Sequence, residues 1–202
     1  MATQTAAIGF APHSGWAVMI AVAMARTGPG VVARARIPLI DDHDPDSKQP
    51  YHAVEFLCVE EAMGRLTGYM EVASTLAYDA IHAQAGELTA RGYRLKAVGI
   101  LESAGRKPSS LSSILASHAL IHAADGDHFR NALSAAAENC GLSVHRIPAR
   151  ALDEFAAARL HLPLGRLHGT VNNLGKQIGP PWGADQKKAA LLAWSLLKKG
   201  PD

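Results

Sequence analysis

The sequence contains little cysteine, little net charge and no long hydrophobic run. Its 202 residues include two cysteines, Cys58 and Cys140, in apolar or alanine-rich stretches, so we expect small buried thiols in a reducing compartment rather than a disulfide framework. No apolar run approaches the roughly 20 residues that span a bilayer, and the first ten residues carry no basic segment. The sequence therefore predicts a cytoplasmic protein without a membrane-spanning segment.

Several signatures of nucleotide, hydrolase and calcium sites are also absent. The chain has no Walker A sequence, no Gly-x-Gly-x-x-Gly fingerprint and no Gly-x-Ser-x-Gly nucleophile turn. Aspartates cluster between Pro38 and Pro50, but this segment lacks the glycine and the final glutamate of an EF-hand loop. We interpret it as an exposed acidic loop.

The composition is that of a globular protein with its basic charge near one end. Hydrophobic residues make up 48% and charged residues 19%, and the length suits a single domain over residues 1–202. From Arg146 onward, nine Lys or Arg residues face four Asp or Glu residues, although the net charge of the whole chain is only +2. This bias favours either a phosphate-bearing partner or a last helix whose dipole is complemented by terminal lysines.

The hydrophobic pattern predicts alternating strands and helices. Three short β-prone runs separated by turn residues favour an antiparallel meander, and a later apolar run is typical of a strand buried on both faces. A long helix is predicted between the third and fourth strands, and Gly64 and Gly68 indicate a break within it. The predicted elements are strands 6–11, 16–23 and 31–37, helix 51–90, strand 95–101, helices 110–124 and 127–139, strand 142–147, helix 149–159, a Gly/Pro/Asn-rich loop 161–181 and helix 184–198.

Both this order and one local motif resemble a known superfamily. The segment from Ile8 to Val18 is similar to the opening of RuvC-type Holliday-junction resolvases, where a strand ends in Gly-hydrophobic-Asp-Pro-Gly-Ser. Here Ala11 stands at the aspartate position and His13 at the glycine position. The resemblance implies a ribonuclease H-like α/β fold, with a mixed central sheet of three antiparallel and then two parallel strands flanked by helices. Segments 114–130 and 179–182 also resemble an uncharacterised bacterial protein family.

The resemblance also implies a site and its ligands. Glu102 matches an acid at the end of the fourth strand, and Asp185 matches an acid of the final helix, so Mg²⁺ or Mn²⁺ and a DNA or RNA substrate are implied. His13 is the expected substitute ligand or proton shuttle. The expected substrate contacts are Ser14 in the first turn, Arg106 and Lys107 after the fourth strand, and Trp182 in a rigid loop.

A second candidate metal site depends on helical spacing alone. His118 and His122 are four residues apart on a predicted helix, which aligns two imidazoles as a Zn²⁺ site requires. Ala119 follows His118, so the His-Glu-x-x-His motif of zinc proteases is absent. The alternative is that these histidines make only local hydrogen bonds within the helix.

Two hypotheses for the function remain open at this point. One is a divergent metal-dependent nuclease that uses Glu102 and Asp185. The other is a catalytically inactive scaffold that binds nucleic acid or a protein partner, because Ala11 replaces the first acid.

Overall fold

A five-stranded mixed sheet forms the centre of the molecule in the computed structural model, which describes residues 4–103 and 110–198. The strand order is β3-β2-β1-β4-β5. The first three strands are antiparallel neighbours, and β4 and β5 continue the sheet parallel to β1, which confirms the predicted fold class. The strands are β1 (Gln4–His13), β2 (Trp16–Ala25), β3 (Gly28–Pro38), β4 (Tyr93–Glu102) and β5 (Ser143–Pro148).

Helices cover both faces of this sheet. The long helices α2 and α4 pack on the face that carries Ile8 and Phe10, whereas α5, α6 and α7 pack on the face that carries Ala11, Val18 and Ile20. The two sides alternate along each strand, as the period of two requires. The helices are α1 (Pro50–Ala53), α2 (Val59–Ala90), α3 (Leu111–Leu115), α4 (His118–Asn139), α5 (Leu152–Leu160), α6 (Leu164–Ile178) and α7 (Ala184–Ser195).

Two glycines in register allow α7 to lie directly on the sheet. Gly9 of β1 pairs with Gly99 of β4. A Cβ atom at Gly9 would lie 2.0 Å from the carbonyl oxygen of Ala189, and one at Gly99 would lie 2.5 Å from the Leu192 side chain. Because neither glycine has a side chain, α7 approaches the strands closely and its first turn reaches the end of β1.

The structure corrects four sequence expectations. Helix α2 is continuous through Gly64 and Gly68, because both lie on its solvent face while Leu66 and Ala73 pack inside. The helices predicted at 110–124 and 127–139 are instead α3 and α4, with the break at extended Ser117. The predicted loop 161–181 contains α6, whose Leu167, Val171 and Leu174 form a buried stripe despite its glycines and asparagines. Cys58 is exposed rather than buried, since it precedes α2 at the surface.

Individual side chains mark the surface of the sheet, the start of a helix and the core. Arg34 and Arg36 of β3 are exposed on one face, and Ser110 caps α3 by accepting a hydrogen bond from the Ser113 amide. Trp194 is buried in the core beneath α7. Within the described ranges, no helix is both long enough and apolar enough to cross a membrane.

Candidate functional site

The first group of polar side chains lies where β1 ends against the start of α7. His13 is the last residue of β1, and its Nε2 is 3.0 Å from Asp185 Oδ2 in the first turn of α7. The side chains are 38% and 40% exposed, so solvent reaches the pair. A carboxylate in the first turn also complements the helix dipole. The structure thus brings together two of the predicted site residues, in direct contact with each other.

An aromatic and cationic column continues from this pair along the surface. The His13 ring stacks on the Trp16 ring, with centroids 4.2 Å apart and planes 9° from parallel. The Arg36 guanidinium lies over the Trp16 ring, 4.2 Å from its centroid. The Trp16 ring thus lies between the His13 ring and the Arg36 guanidinium, and because Arg36 is exposed the column presents positive charge to solvent.

The position of the missing acid is closed. Ala11 is 4% exposed and packs in the core formed with α7. Its antiparallel partner on β2 is Val18, which is also buried. A carboxylate in this position would lie among apolar side chains, where an unpaired charge is strongly disfavoured.

Glu102 is engaged by a base from the neighbouring strand. Arg146 of β5 donates from Nε to Glu102 Oε1 at 2.6 Å and from Nη1 to Asn131 Oδ1 at 2.7 Å. Arg130 lies beside this pair and donates from Nε to the carbonyl of Leu101. Burial lowers the pKa of the Arg130 guanidinium, and the nearby Asp127 carboxylate opposes that shift. The end of β4 therefore holds a carboxylate that two guanidinium groups surround.

The predicted substrate contacts have different surroundings. Ser14 is half-buried in the turn between β1 and β2. Trp182 donates from Nε1 to the Val171 carbonyl at 3.0 Å, and its ring covers Gly175 so closely that a Cβ there would lie 2.1 Å away. Its loop is held further by Arg34, which donates to the carbonyls of Gly179, Pro180 and Pro181. Trp182 thus packs α6 against the loop, while Arg106 and Lys107 lie outside the described residues.

A second cluster of site residues lies between α1 and α4. His118 and His122 lie on one face of α4, with their Nε2 atoms 3.1 Å apart. His52 of α1 joins them, and its ring centroid is 5.2 Å from that of His118 and 4.4 Å from that of His122. One ligand nitrogen from each histidine lies within 4.8 Å of the other two. Three imidazoles therefore converge at the surface.

Buried Asp125 supports this histidine cluster from below. One carboxylate oxygen accepts a hydrogen bond from the Tyr51 amide at 2.7 Å, and the other contacts Nδ1 of His52. Burial raises the pKa of Asp125, and the hydrogen bonds from Tyr51 and His52 oppose that shift. The carboxylate is 3% exposed and joins α1 to α4 at the base of the cluster.

Sequence reasoning found the histidines His118 and His122 of this cluster and missed the third, His52. His52 and Asp125 are separated from each other by more than seventy residues, so no spacing rule connects them. The sequence does contain one signal, because polar residues interrupt the apolar pattern of this helix. Two of them, Asp125 and His128, are buried. Pairing α1 with α4 required the tertiary fold.

The ligand atoms at the histidine cluster and at the end of β1 determine which ions could bind at each. Within the described ranges, His52, His118 and His122 form the one group of three or more His, Cys, Asp or Glu side chains close enough to share an ion. Among the residues that the structure describes, Glu102 and Asp185 belong to no such group. Mg²⁺ and Mn²⁺ prefer several oxygen ligands, and the described residues at the end of β1 do not supply them. The residues at that position do not fit the two-ion centre that the resemblance implied.

Comparison with known proteins bears on the fold. No protein-family model matches the sequence, and neither does any curated protein. The structure is similar to that of Thermus thermophilus RuvC, with a TM-score of 0.50 and 13% identity over 94% of this chain and 92% of that chain. The fold is that of RuvC. The structure of T. thermophilus RuvC in complex with Holliday junction substrate also matches, with a TM-score of 0.51 and 13% identity over 95% of this chain and 91% of that chain. At this identity the RuvC likeness concerns the fold alone.

Proposed function

We propose that the protein binds nucleic acid through its RuvC-type fold and does not carry out two-metal phosphodiester hydrolysis at the end of β1. One observation carries the proposal: Ala11 is buried, and the two remaining acids are each paired with a basic side chain. The proposal corresponds to the scaffold hypothesis rather than to the nuclease hypothesis.

The charges around Glu102 and Asp185 disfavour two-metal hydrolysis. Two-metal cleavage needs clustered carboxylates whose negative charge attracts and holds two cations. Glu102 is neutralised by Arg146 at 2.6 Å, and a cation beside Glu102 would also lie close to that guanidinium. Asp185 Oδ2 is already within hydrogen-bond distance of His13 Nε2. Binding an ion here would require displacing Arg146 from Glu102 or His13 from Asp185.

The surface at the end of β1 supports binding. Arg36 offers an exposed cation that can contact a phosphate, and its packing on Trp16, which in turn stacks on His13, holds the guanidinium in place. The excess of basic residues from Arg146 onward adds positive charge to the C-terminal third. The similar solved structure of RuvC with a Holliday junction supports DNA as the first ligand to test.

Binding is tested by fluorescence anisotropy with labelled four-way junction, duplex and single-stranded DNA and with RNA, over a range of salt concentrations. We expect affinity that falls steeply with salt, because phosphate contacts release counterions. Arg36→Gln should weaken binding several-fold and reduce the slope of log K against log salt by about one. Arg65→Gln, an exposed arginine of α2, is the matched control and should change neither. Absence of salt-sensitive binding to every probe would contradict the proposal and favour a protein partner.

The nuclease hypothesis keeps one supporting observation, namely that Glu102 ends β4 and Asp185 lies in the first turn of α7. Its test is cleavage of the same probes with Mg²⁺ or Mn²⁺, comparing the wild type with Glu102→Gln and Asp185→Asn. We expect no metal-stimulated cleavage by any of the three proteins. Cleavage by the wild type that is lost in both variants would establish the nuclease and overturn our assignment of the site.

A further inference from the structure

We propose that His52, His118 and His122 form a Zn²⁺-binding site with three protein ligands and a fourth position open to water. The site lies between α1 and α4 and uses none of the residues at the end of β1. It is therefore independent of the proposed binding of nucleic acid, and either proposal can fail alone.

The distances suit this ion. Zn–N bonds of 2.0–2.1 Å in a tetrahedron place neighbouring nitrogens about 3.3 Å apart. The Nε2 atoms of His118 and His122 are already 3.1 Å apart, and all three ligand nitrogens lie within 4.8 Å of one another. His118 and His122 are exposed and His52 is partly exposed, so small rotations of the rings can close the remaining gap.

The backbone presents the three rings from two elements that are fixed together. His118 and His122 are one helical turn apart on α4 and share a face. His52 is placed by its neighbour Tyr51, whose amide donates to Asp125 on the same helix α4. Val54, just after α1, is fully buried against α2 and holds the other end of this short helix. The third ligand is thereby positioned before any ion binds.

Asp125 selects the tautomer of His52 that binds metal. Since its other oxygen already accepts from Tyr51, Oδ2 faces Nδ1 of His52, and a carboxylate there makes Nδ1 the protonated nitrogen. The lone pair is then on Nε2, which is left to the ion. A carboxylate behind a ligating histidine in this way orients the ring and raises its basicity. Asp125 is thus a positioning residue of the site.

A second carboxylate plays a weaker part at the rim. Glu55 Oε1 is 3.9 Å from Nδ1 of His118, which again leaves Nε2 facing the cluster. Three neutral imidazoles favour Zn²⁺, and also Cu²⁺ and Ni²⁺, over Mg²⁺ and Mn²⁺, which prefer oxygen. The donor set therefore excludes the ions that a two-metal nuclease uses.

The first test is calorimetric titration of the full chain, stripped of metal with a chelator, using Zn²⁺ alone. We expect one equivalent to bind, and His52→Ala, His118→Ala and His122→Ala each to lower the affinity at least a hundredfold. His82→Ala is the matched control, since His82 is an exposed histidine of helix α2, and it should bind as the wild type does. Co²⁺ in place of Zn²⁺ should give the strong visible absorption of a tetrahedral ion. Failure to bind, or unchanged affinity in His52→Ala, would overturn the three-ligand site.

The second test isolates Asp125. In Asp125→Asn the amide oxygen can still accept from Tyr51, but the NH₂ group then faces Nδ1 of His52 and favours the tautomer with the proton on Nε2. We expect Zn²⁺ affinity to fall ten- to a hundredfold. Nitrogen-15 NMR of the metal-free protein should show the His52 proton moving from Nδ1 to Nε2. Because a purely structural role would not switch the tautomer, an unchanged His52 tautomer would contradict the assignment.

Discussion

The ends of β1 and β4 and the histidine cluster between α1 and α4 differ in how their polar side chains are paired. At the strand ends each carboxylate has a basic partner, Asp185 with His13 and Glu102 with Arg146. In the histidine cluster buried Asp125 contacts the ring of His52, Glu55 Oε1 lies 3.9 Å from His118 Nδ1, and the Nε2 atoms of His118 and His122 are 3.1 Å apart. Each carboxylate at the strand ends therefore has a basic partner, whereas three imidazole nitrogens in the cluster lie close enough to share an ion.

This difference shows that the place of a residue in a fold and its ability to bind an ion are separate properties. The RuvC-like fold brings the ends of β1 and β4 together with the start of α7. What those ends can bind depends on the side chains that surround them. Among the described residues, the group of possible ion ligands is the histidine cluster, away from those ends.

The largest expected effect comes from a substitution that pushes α7 away from β1. In Gly9→Ala, the new Cβ would lie 2.0 Å from the Ala189 carbonyl oxygen, so α7 must move away from the sheet. We expect a loss of about 3 kcal/mol in the free energy of unfolding, at the upper end of overpacking effects, measured by urea denaturation. The movement should also separate His13 from Asp185. Zn²⁺ affinity should stay within twofold of the wild type, because the histidine cluster lies on the other side of the sheet.

Gly64→Ala is the control for that experiment. Gly64 lies within α2 on its solvent face, and a Cβ there meets nothing within 4 Å. Removing a glycine from a helix interior should raise the free energy of unfolding by up to about 1 kcal/mol. A Gly9→Ala protein as stable as the wild type would show that α7 does not pack on β1 in this way, and reduced Zn²⁺ affinity would show that the two regions are coupled.

A smaller effect is expected for the ion pair between Arg146 and Glu102. The side chains of Arg146 and Glu102 are 23% and 19% exposed, so their attraction is only partly screened by solvent. A double-mutant cycle with Arg146→Gln and Glu102→Gln should give a coupling free energy of about 2 kcal/mol. The same cycle on His168 and Asp153, with side chains 52% and 46% exposed, should give under about 1 kcal/mol. Equal coupling in the two pairs would mean that Glu102 is less tightly held than its geometry indicates.

The strands and the order of elements could be predicted because they depend on local patterns. Short apolar runs separated by turn residues marked β1 to β3, and Gly92 and Gly141, both with positive φ, follow the C-terminal ends of α2 and α4. The missed helix α6 has the opposite cause. Its glycines and asparagines lower intrinsic helix propensity, and burial of one leucine and valine stripe outweighs that loss.

The individual site residues could be predicted from the sequence, but not which side chains would pair with each other. Glu102, Asp185 and His13 were expected near one another, and the contact between His13 and Asp185 follows from the close packing of α7 on Gly9. The partner of Glu102 was not expected. Arg146 pairs in register with Ile100, two residues before Glu102 on the same side of the neighbouring strand, and parallel register cannot be read from either strand alone.

The smallest expected effect tests the interior beneath the histidine cluster. His128 of α4 is 2% exposed, and within the described part of the chain its Nε2 has no hydrogen-bond partner. It packs edge-on against the Tyr51 ring and is close to the Tyr69 backbone. Burial lowers the pKa of His128, so as pH falls below its usual value near 6.5 the unfolded chain is protonated first. The free energy of unfolding should therefore decrease as the pH falls from about 6.5 to the pKa of His128 in the folded protein.

His128→Leu should flatten this dependence, since the leucine has no proton to gain. The change in slope cannot exceed about 1.4 kcal/mol per pH unit, the limit for one proton. His145 also has a pKa lowered by burial and by Arg159, so a residual slope of the same sign should remain in the variant. Urea denaturation from pH 7.5 to pH 5, with chelator present to keep the histidine cluster metal-free, measures both slopes. Exposed His82→Leu should keep the wild-type slope, and an unchanged slope in His128→Leu would contradict the prediction, because it would mean that folding does not change the pKa of this imidazole.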